Sequence, residues 1–332
     1  MDGNVSTSAN EREGENAMTV ALVPYTNGQS IDRAVAWADL SDDERRRRAM
    51  AAAQHHDAPA LCDLTEDWLT MNGRKGATVS RLTRGRYRGC IAALVAAWAG
   101  ENLLHPGRMA ATRWLRQLED RGCKPSTTRV YLSAARALYA ALRLTGATTA
   151  DPFKDVHPAP DPVARWEKRM PYTDTEVARL LVTAEGDEKL IVLLGAHAGL
   201  RVAEMLALQW RDINLGRGTL TIQSGKGGKR RTVPLSGSLR TALTAGAESG
   251  KCGPVLPWRY RVAVWRELHA LCLAAGVDSR GIHALRHTFG TRAYRETDLQ
   301  TTQRLLGHSS IEVTTVYAKH NEEGGRAALA SW

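Results

Sequence analysis

Apolar residues recur every three to four positions along most of the chain, a period that predicts a mainly helical protein. Between residues 58 and 150 the pattern resolves into four helices. The first is LCDLTEDWLTMNG. The second runs from about Val79 to Trp98, with Val79, Leu82, Ile91, Leu94, Val95 and Trp98 near one face. The third, about Met109 to Glu119, places Met109, Thr112, Leu115 and Leu118 at helical spacing and closes at Arg121-Gly122. The fourth runs from about Ser126 to Leu144 and ends before Gly146. Upstream, Ser41-Asp42-Asp43-Glu44 is a capping box that opens the basic run ERRRRAMAAAQHH. The stretch before residue 40 is polar and without period, and residues 1–57 read as a flexible arm. Arg45 to Arg48 read either as a phosphate contact or as a solvated helix end.

Asp151-Pro152, Pro158, Pro160 and Pro162 mark a stiff linker over residues 151–168. A second capping box, Thr173-Asp174-Thr175-Glu176, starts a new series of helices at about 174–184 and 187–198. The apolar run LIVLLGAHAGL then meets RVAEMLALQW at a turn, Gly199-Leu200-Arg201. The period changes to two at Thr219 to Gln223 and Arg231 to Val233, which predicts a hairpin across the glycine-rich GKGG turn. Helices follow in LSGSLRTALTAGA and RYRVAVWRELHALCLAAG. Short helices and tight turns end the pattern in HALRHTFGTRAYRETDLQTTQRLLGHSSIEVTTVYAKH. The expected fold is mainly α in two domains: a helical bundle over 58–150, and a mixed, mostly helical domain with a small antiparallel sheet over 169–332.

Composition narrows the classes. A chain of 332 residues has room for two domains with cores of their own. Its net charge of +10 fits a polyanionic partner such as nucleic acid, or simply a basic solvated surface. No apolar run reaches membrane-spanning length and the N-terminus is too polar for a signal peptide, so a cytoplasmic protein is expected. The five cysteines (Cys62, Cys90, Cys123, Cys252 and Cys272) are scattered without a C-x-x-C pair, which predicts reduced thiols and no zinc site.

The chemistry concentrates near the end. His283, Arg286, His308 and Tyr317 lie on short helices joined by turns. Such a set suits holding a phosphodiester while a phenol attacks it. Donors aimed at the non-bridging oxygens lower the barrier, and a guanidinium grips two of them without losing its charge. A phenol titrates near ~10, so it needs help from a nearby His or a positive field. The leaving sugar oxygen needs a proton from Lys or His. Arg201, at the turn before RVAEML, and Lys226, at the hairpin tip, supply the second Arg and the Lys. Lys229 competes with Lys226 for that role. Glu204 reads evenly as the group that orients Arg201 or as a surface carboxylate. His283 and His287 also have metal-ligand spacing, but Arg286 lies between them and no carboxylate or cysteine completes a set. The GKGGK glycines lack nucleotide-loop spacing.

With those residues in hand, the phrases AGLRVAEML, GKGGKRRTVPL, HALRHTFGT and LLGHSSIEVTTVYAKH resemble the motifs of the tyrosine recombinase (phage integrase) family, over roughly residues 60–320. The likeness is strongest to its Xer-type and small integrase members. The turn from Arg295 to Asp298 lacks the glycine often found there. The resemblance implies a site-specific DNA recombinase whose catalytic set is Arg201, Lys226, His283, Arg286, His308 and Tyr317, with Lys226 in the family's G-K-G slot. It implies a 3′-phosphotyrosyl intermediate, a Holliday junction and no cofactor or metal. Residues 58–150 would be the SAM-like core-binding domain and 169–332 the catalytic domain. Arg81, Arg84 and Arg88 share a helix stripe that would track DNA or serve as ordinary surface, and Arg259 and Arg261 would approach a groove. The implied partners are double-stranded DNA, further copies in a tetramer joined by the tail Ala327 to Trp332, and a second recombinase or accessory protein, all at the nucleoid. The rival readings are a type IB topoisomerase-like nicking-closing enzyme and a non-catalytic DNA-binding accessory protein.

Overall fold

The computed structural model describes residues 27–163, 167, 170–223, 230–250 and 252–307. The chain separates into two compact units, Met1–Asp161 and Pro162–Trp332. Among the described residues there are thirteen α-helices and one three-stranded antiparallel sheet, the mainly helical class that the periodicity predicts. None of these helices is long and apolar enough to cross a membrane.

The first unit is built from α1 (Asn27–Ala38), α2 (Asp42–Gln54), α3 (Ala58–Met71), α4 (Arg81–Ala97), α5 (Ala110–Asp120) and α6 (Pro125–Leu144). Side-chain caps start three of them: Ser41 accepts from Glu44 N–H, Asp57 from Ala60 N–H and Ser80 from Thr83 N–H. Leu61, Ile91, Leu94, Trp114 and Leu138 form the core with an aromatic cluster. Buried Tyr139 donates its hydroxyl to the Leu103 carbonyl at 2.9 Å.

Two boundaries differ from the sequence reading. The arm expected over residues 1–57 is helical from Asn27 onward. The Ser41 cap does open a helix, as its sequence suggests, but the packing of α2 was hidden because it buries only alanines, Ala49, Ala52 and Ala53, on a helix otherwise dominated by charge. Arg45 of the basic run caps the end of α1 through the Ala38 and Leu40 carbonyls, and Arg47 and Arg48 pair with Glu44. The expected linker also begins too early. Phe153 is fully buried, stacked on Trp98 at 5.6 Å and edge-on to Trp114 at 5.7 Å. Arg136 holds the Phe153 and Val156 carbonyls, so this proline-flanked segment belongs to the first core.

The second unit contains α7 (Asp174–Thr183), α8 (Gly186–Ala196), α9 (Val202–Ala207), β1 (Ile213–Asn214), β2 (Thr219–Ile222), β3 (Arg231–Pro234), α10 (Gly237–Glu248), α11 (Arg261–Ala274), α12 (Ile282–Glu296) and α13 (Leu299–Leu306). Its axis is α8. Every residue from Leu190 to Ala196 is buried, as an all-apolar helix requires, and α7, α10, α11 and α12 pack around it. Gly195 allows α12 to approach closely: a Cβ there would lie 2.6 Å from Leu285 Cβ on α12. The Thr173–Glu176 capping box is formed, and Arg280 grips the Glu176 carboxylate at 2.6 and 2.7 Å. In the sheet, Leu220 pairs with Val233 and Ile222 with Arg231. Strand alternation puts Arg231 on the same inward face as fully buried Val233. All five cysteines are unpaired.

Candidate active site

Three segments of the second unit converge on one carboxylate. α8 stops at Ala196, and the chain turns through Gly199 at φ +63°, where a side chain would also collide with the Phe289 ring of α12. Leu200 is buried behind this turn, and Arg201 emerges at the head of α9. Three residues on, Glu204 is only 5% exposed. Its Oε2 accepts the Arg201 backbone N–H at 2.9 Å, and its Oε1 accepts Arg201 Nη1 at 2.8 Å.

β3 supplies a second cation to the same carboxylate. Arg231 Nη1 donates to Glu204 Oε1 at 2.9 Å and Nη2 to Oε2 at 2.7 Å, the two-pronged geometry open to a guanidinium and closed to an ammonium. Arg231 Nε donates to the Leu305 carbonyl at 3.0 Å. α12 supplies the third cation. Arg286 lies with Nη1 3.7 Å from Glu204 Oε2 and donates to the carbonyls of Gly199 and, at 2.6 Å, Leu306. The last turn of α13 is thereby held by two arginines, just before the left-handed Gly307 that precedes His308.

The electrostatics follow from the count. Three guanidiniums surround one carboxylate, so these four side chains carry a formal excess of two positive charges. Burial pushes the Glu204 carboxyl up, but the Arg231 hydrogen bonds, the Arg201 backbone N–H and the two neighbouring cations outweigh it and bring the pKa down to about 2. The acid is therefore ionised at neutral pH. Exposure separates the three cations: the Arg201 side chain is 24% exposed, against 8% for Arg231 and 1% for Arg286. Arg201 is the member of the cluster open to an incoming anion.

Of the six residues expected to form the catalytic set, Arg201 and Arg286 are gathered about Glu204. His283 is on α12, one turn before Arg286; it is exposed, and its ring meets that of buried His287 edge-on at 4.8 Å. Lys226, its competitor Lys229, His308 and Tyr317 lie outside the described residues. The two readings left open for Glu204 resolve in favour of orientation, since it is buried and holds Arg201 through both backbone and side chain. Arg231 was not singled out from the sequence. The usable signal was its strand parity with Val233, which turns a cation inward. Among the described residues no group of three or more His, Cys, Asp or Glu could hold a metal ion.

The arginines expected to face DNA differ in exposure. On α4, Arg81 is exposed, Arg84 is 5% exposed, and Arg88 reaches Asp63 at 2.6 Å and Glu66 at 3.2 Å. The stripe is thus not one open cationic surface, because part of it closes an ion-pair network that also includes Arg33. Arg259 and Arg261, at the start of α11, are both exposed.

Comparisons with known proteins find matches to both units. Residues 172–323 match the model of the phage integrase family, and residues 75–146 match that of the phage integrase N-terminal SAM-like domain. A tyrosine recombinase XerA from Thermococcus kodakarensis is 32% identical over 247 residues, covering 70% of this chain and 82% of the relative. A tyrosine recombinase XerC from Xanthomonas campestris is 29% identical over 263 residues, covering 72% and 79%. In fold, the chain is similar to the Tn1549 transposon integrase solved in complex with transposon right end DNA, with TM-score 0.63 and 17% identity over 81% of this chain and 99% of that one. It is also similar to a lambda integrase tetramer bound to a Holliday junction, with TM-score 0.65 and 19% identity over 78% and 76%.

Proposed function

Since the chain belongs to the phage integrase family and is a tyrosine recombinase, we propose that it cuts and rejoins double-stranded DNA at specific sites through a covalent link to Tyr317. The observation that carries this reading is the Glu204-centred cluster, which turns Arg201 toward solvent within a group of four side chains carrying two excess positive charges. Arg201 binds the scissile phosphate, and Arg286 adds its charge from the buried side of the cluster, so that together they stabilise the charge that grows on the non-bridging oxygens. The Tyr317 phenol oxygen attacks phosphorus. A bond from Tyr317 to the 3′-phosphate forms, the bond to the 5′ oxygen breaks, and Lys226 gives that oxygen its proton. His283 and His308 position the phosphate and take up the phenol proton. A 5′-hydroxyl from a partner strand reverses the step. The energy of the phosphodiester stays in the covalent link, so the exchange calls for no nucleotide hydrolysis.

In this proposal the first unit, through Asp161, acts as the core-binding domain and the second as the catalytic domain, and Arg81, Arg259 and Arg261 contribute to DNA contact. Four copies assemble on two DNA sites, each seating the tail Ala327 to Trp332 on a neighbour. The lambda integrase tetramer on its Holliday junction supports that assembly by likeness of fold. Removing the chain beyond Asn321 should abolish cooperative binding in a gel-shift series; unchanged cooperativity would remove the tail from the scheme.

The decisive experiment uses a nicked suicide duplex, which traps the covalent adduct. Wild-type protein accumulates a protein–DNA species resistant to denaturation. Tyr317→Phe binds the duplex and accumulates none; an adduct trapped by that variant would overturn the assignment.

A further inference from the structure

Arg231 takes no part in the reaction steps above, yet its guanidinium is fully engaged. All three of its nitrogens donate: Nη1 and Nη2 to the two oxygens of Glu204, and Nε to the Leu305 carbonyl. Its stem is also in contact with the turn beyond, since a Cβ at Gly307 would lie 2.9 Å from Arg231 Cδ. One side chain on β3 thereby touches the carboxylate that holds Arg201 and the last turn of α13, from which the chain passes to His308.

We infer that Arg231 is a positioning residue: through Glu204 it sets Arg201, and through the Leu305 carbonyl it sets the end of α13, so that both halves of the site are placed by one planar group. The inference rests on the recombinase reading for its catalytic consequence, but its structural content does not depend on that reading.

Charge is the first reason. Glu204 facing Arg201 and Arg286 alone would largely neutralise the field that an anion needs. With Arg231 fixed across both carboxylate oxygens, the formal excess over the four side chains rises from one positive charge to two. Glu204 then orients Arg201 without cancelling it. Geometry is the second reason. A two-pronged contact fixes the plane of the carboxylate, and with it the direction from which Oε1 accepts Arg201 Nη1. An ammonium at the same place would hold one oxygen and leave the plane free to rotate. The third reason is where Arg231 comes from. Its strand pairs with β2 from Thr219↔Pro234 to Ile222↔Arg231, so the guanidinium is carried by a registered sheet rather than a loop.

The test compares full-length wild type with Arg231→Met and Arg231→Lys in two readouts. The first is amide hydrogen exchange without DNA. Arg231→Met should raise exchange at least tenfold at both Arg201–Glu204 and Arg304–Gly307, with Arg231→Lys between it and wild type. A role confined to bracing the hairpin would alter only residues 219–222 and 231–234, and that result would overturn the inference. The second readout is the single-turnover rate of adduct formation on the nicked duplex at saturating DNA. Arg231→Met should slow it at least tenfold while DNA affinity stays within about threefold of wild type. The double variant Arg231→Met/Glu204→Gln should be no slower than the slower single variant, because the two residues act as one unit. Multiplying effects would overturn the inference. Should Arg231→Met not fold, Arg231→Lys decides: wild-type exchange at both segments and a wild-type rate would sink the proposal. Wild-type protein that forms no adduct would refute the recombinase reading instead, and the exchange result would still judge Arg231.

Discussion

Glu204 shows what a single buried residue does for a cationic site. Breaking a buried ion pair from one side leaves uncompensated charge and costs about 3–5 kcal/mol. Here removal would leave three guanidiniums facing one another. The pH dependence has a definite sign. The folded pKa of about 2 lies below the usual carboxylate value of 4.5, so the contribution is complete above pH 4.5 and is lost as pH falls toward 2. The shift corresponds to about 3 kcal/mol. Glu176, held down to about 2 by the Arg280 hydrogen bonds against the opposing effect of burial, acts in the same window, but it is more exposed and solvent weakens its share. Urea unfolding of the second unit between pH 3 and 6 should therefore lose stability toward the acid side in wild type. Glu204→Gln should start lower and show a flatter acid limb; an unchanged limb would remove Glu204 as its source. Gly199 gives a second expectation at this scale. Its φ of +63° and the Phe289 ring exclude a Cβ, so Gly199→Ala should cost about 2–4 kcal/mol, seen as a lower melting temperature. Spacing made Glu204 readable as a partner of Arg201. It could not reveal Arg231 as the second partner, because that contact joins residues 27 positions apart.

At the scale of elements, the site depends on how closely α8 and α12 approach. Gly195 on α8 faces Leu285 on α12, and Leu285 adjoins Arg286, so the helix separation sets the depth of that guanidinium. Gly195→Ala should force the helices apart by roughly 1 Å and destabilise by about 1–3 kcal/mol. It should also slow adduct formation more than it weakens DNA binding, measured as single-turnover rate against Kd on one duplex. Equal losses in both would mean that the packing serves stability alone. Helices were legible because their apolar positions repeat at helical spacing, and the Ser41 and Thr173 caps marked the starts of α2 and α7. The misses have one cause in common. α2 buries alanines under a charged run, and Phe153 enters the first core from between prolines; both are tertiary packing that period and composition do not encode. Lys226, His308 and Tyr317 were legible only as motif residues, and their roles remain the proposal argued above.

For the whole molecule the question is how its net charge of +10 is deployed. Much of the arginine in the described residues is held internally. Arg33 and Arg88 tie α1 and α4 to the acids of α3, Arg45 caps α1, and Arg280 grips Glu176. Net charge therefore overstates the number of cations offered to a polyanion, and an arginine's place in the fold decides its role. Arg261 is exposed at the start of α11, whereas Arg88 lies 2.6 Å from Asp63. If Arg261 meets a phosphate, Arg261→Ala removes one counterion-release event and lowers the slope of log K against log salt by about 0.9. Arg88→Ala should leave that slope unchanged and lower the melting temperature of the first unit, since Asp63 and Glu66 lose a partner. Duplex binding titrated from 50 to 200 mM salt, alongside thermal melts of each variant, separates the outcomes. A slope change in Arg88→Ala without loss of stability would mean that its ion pairs open on DNA, and the division between structural and DNA-facing arginines would have to be redrawn.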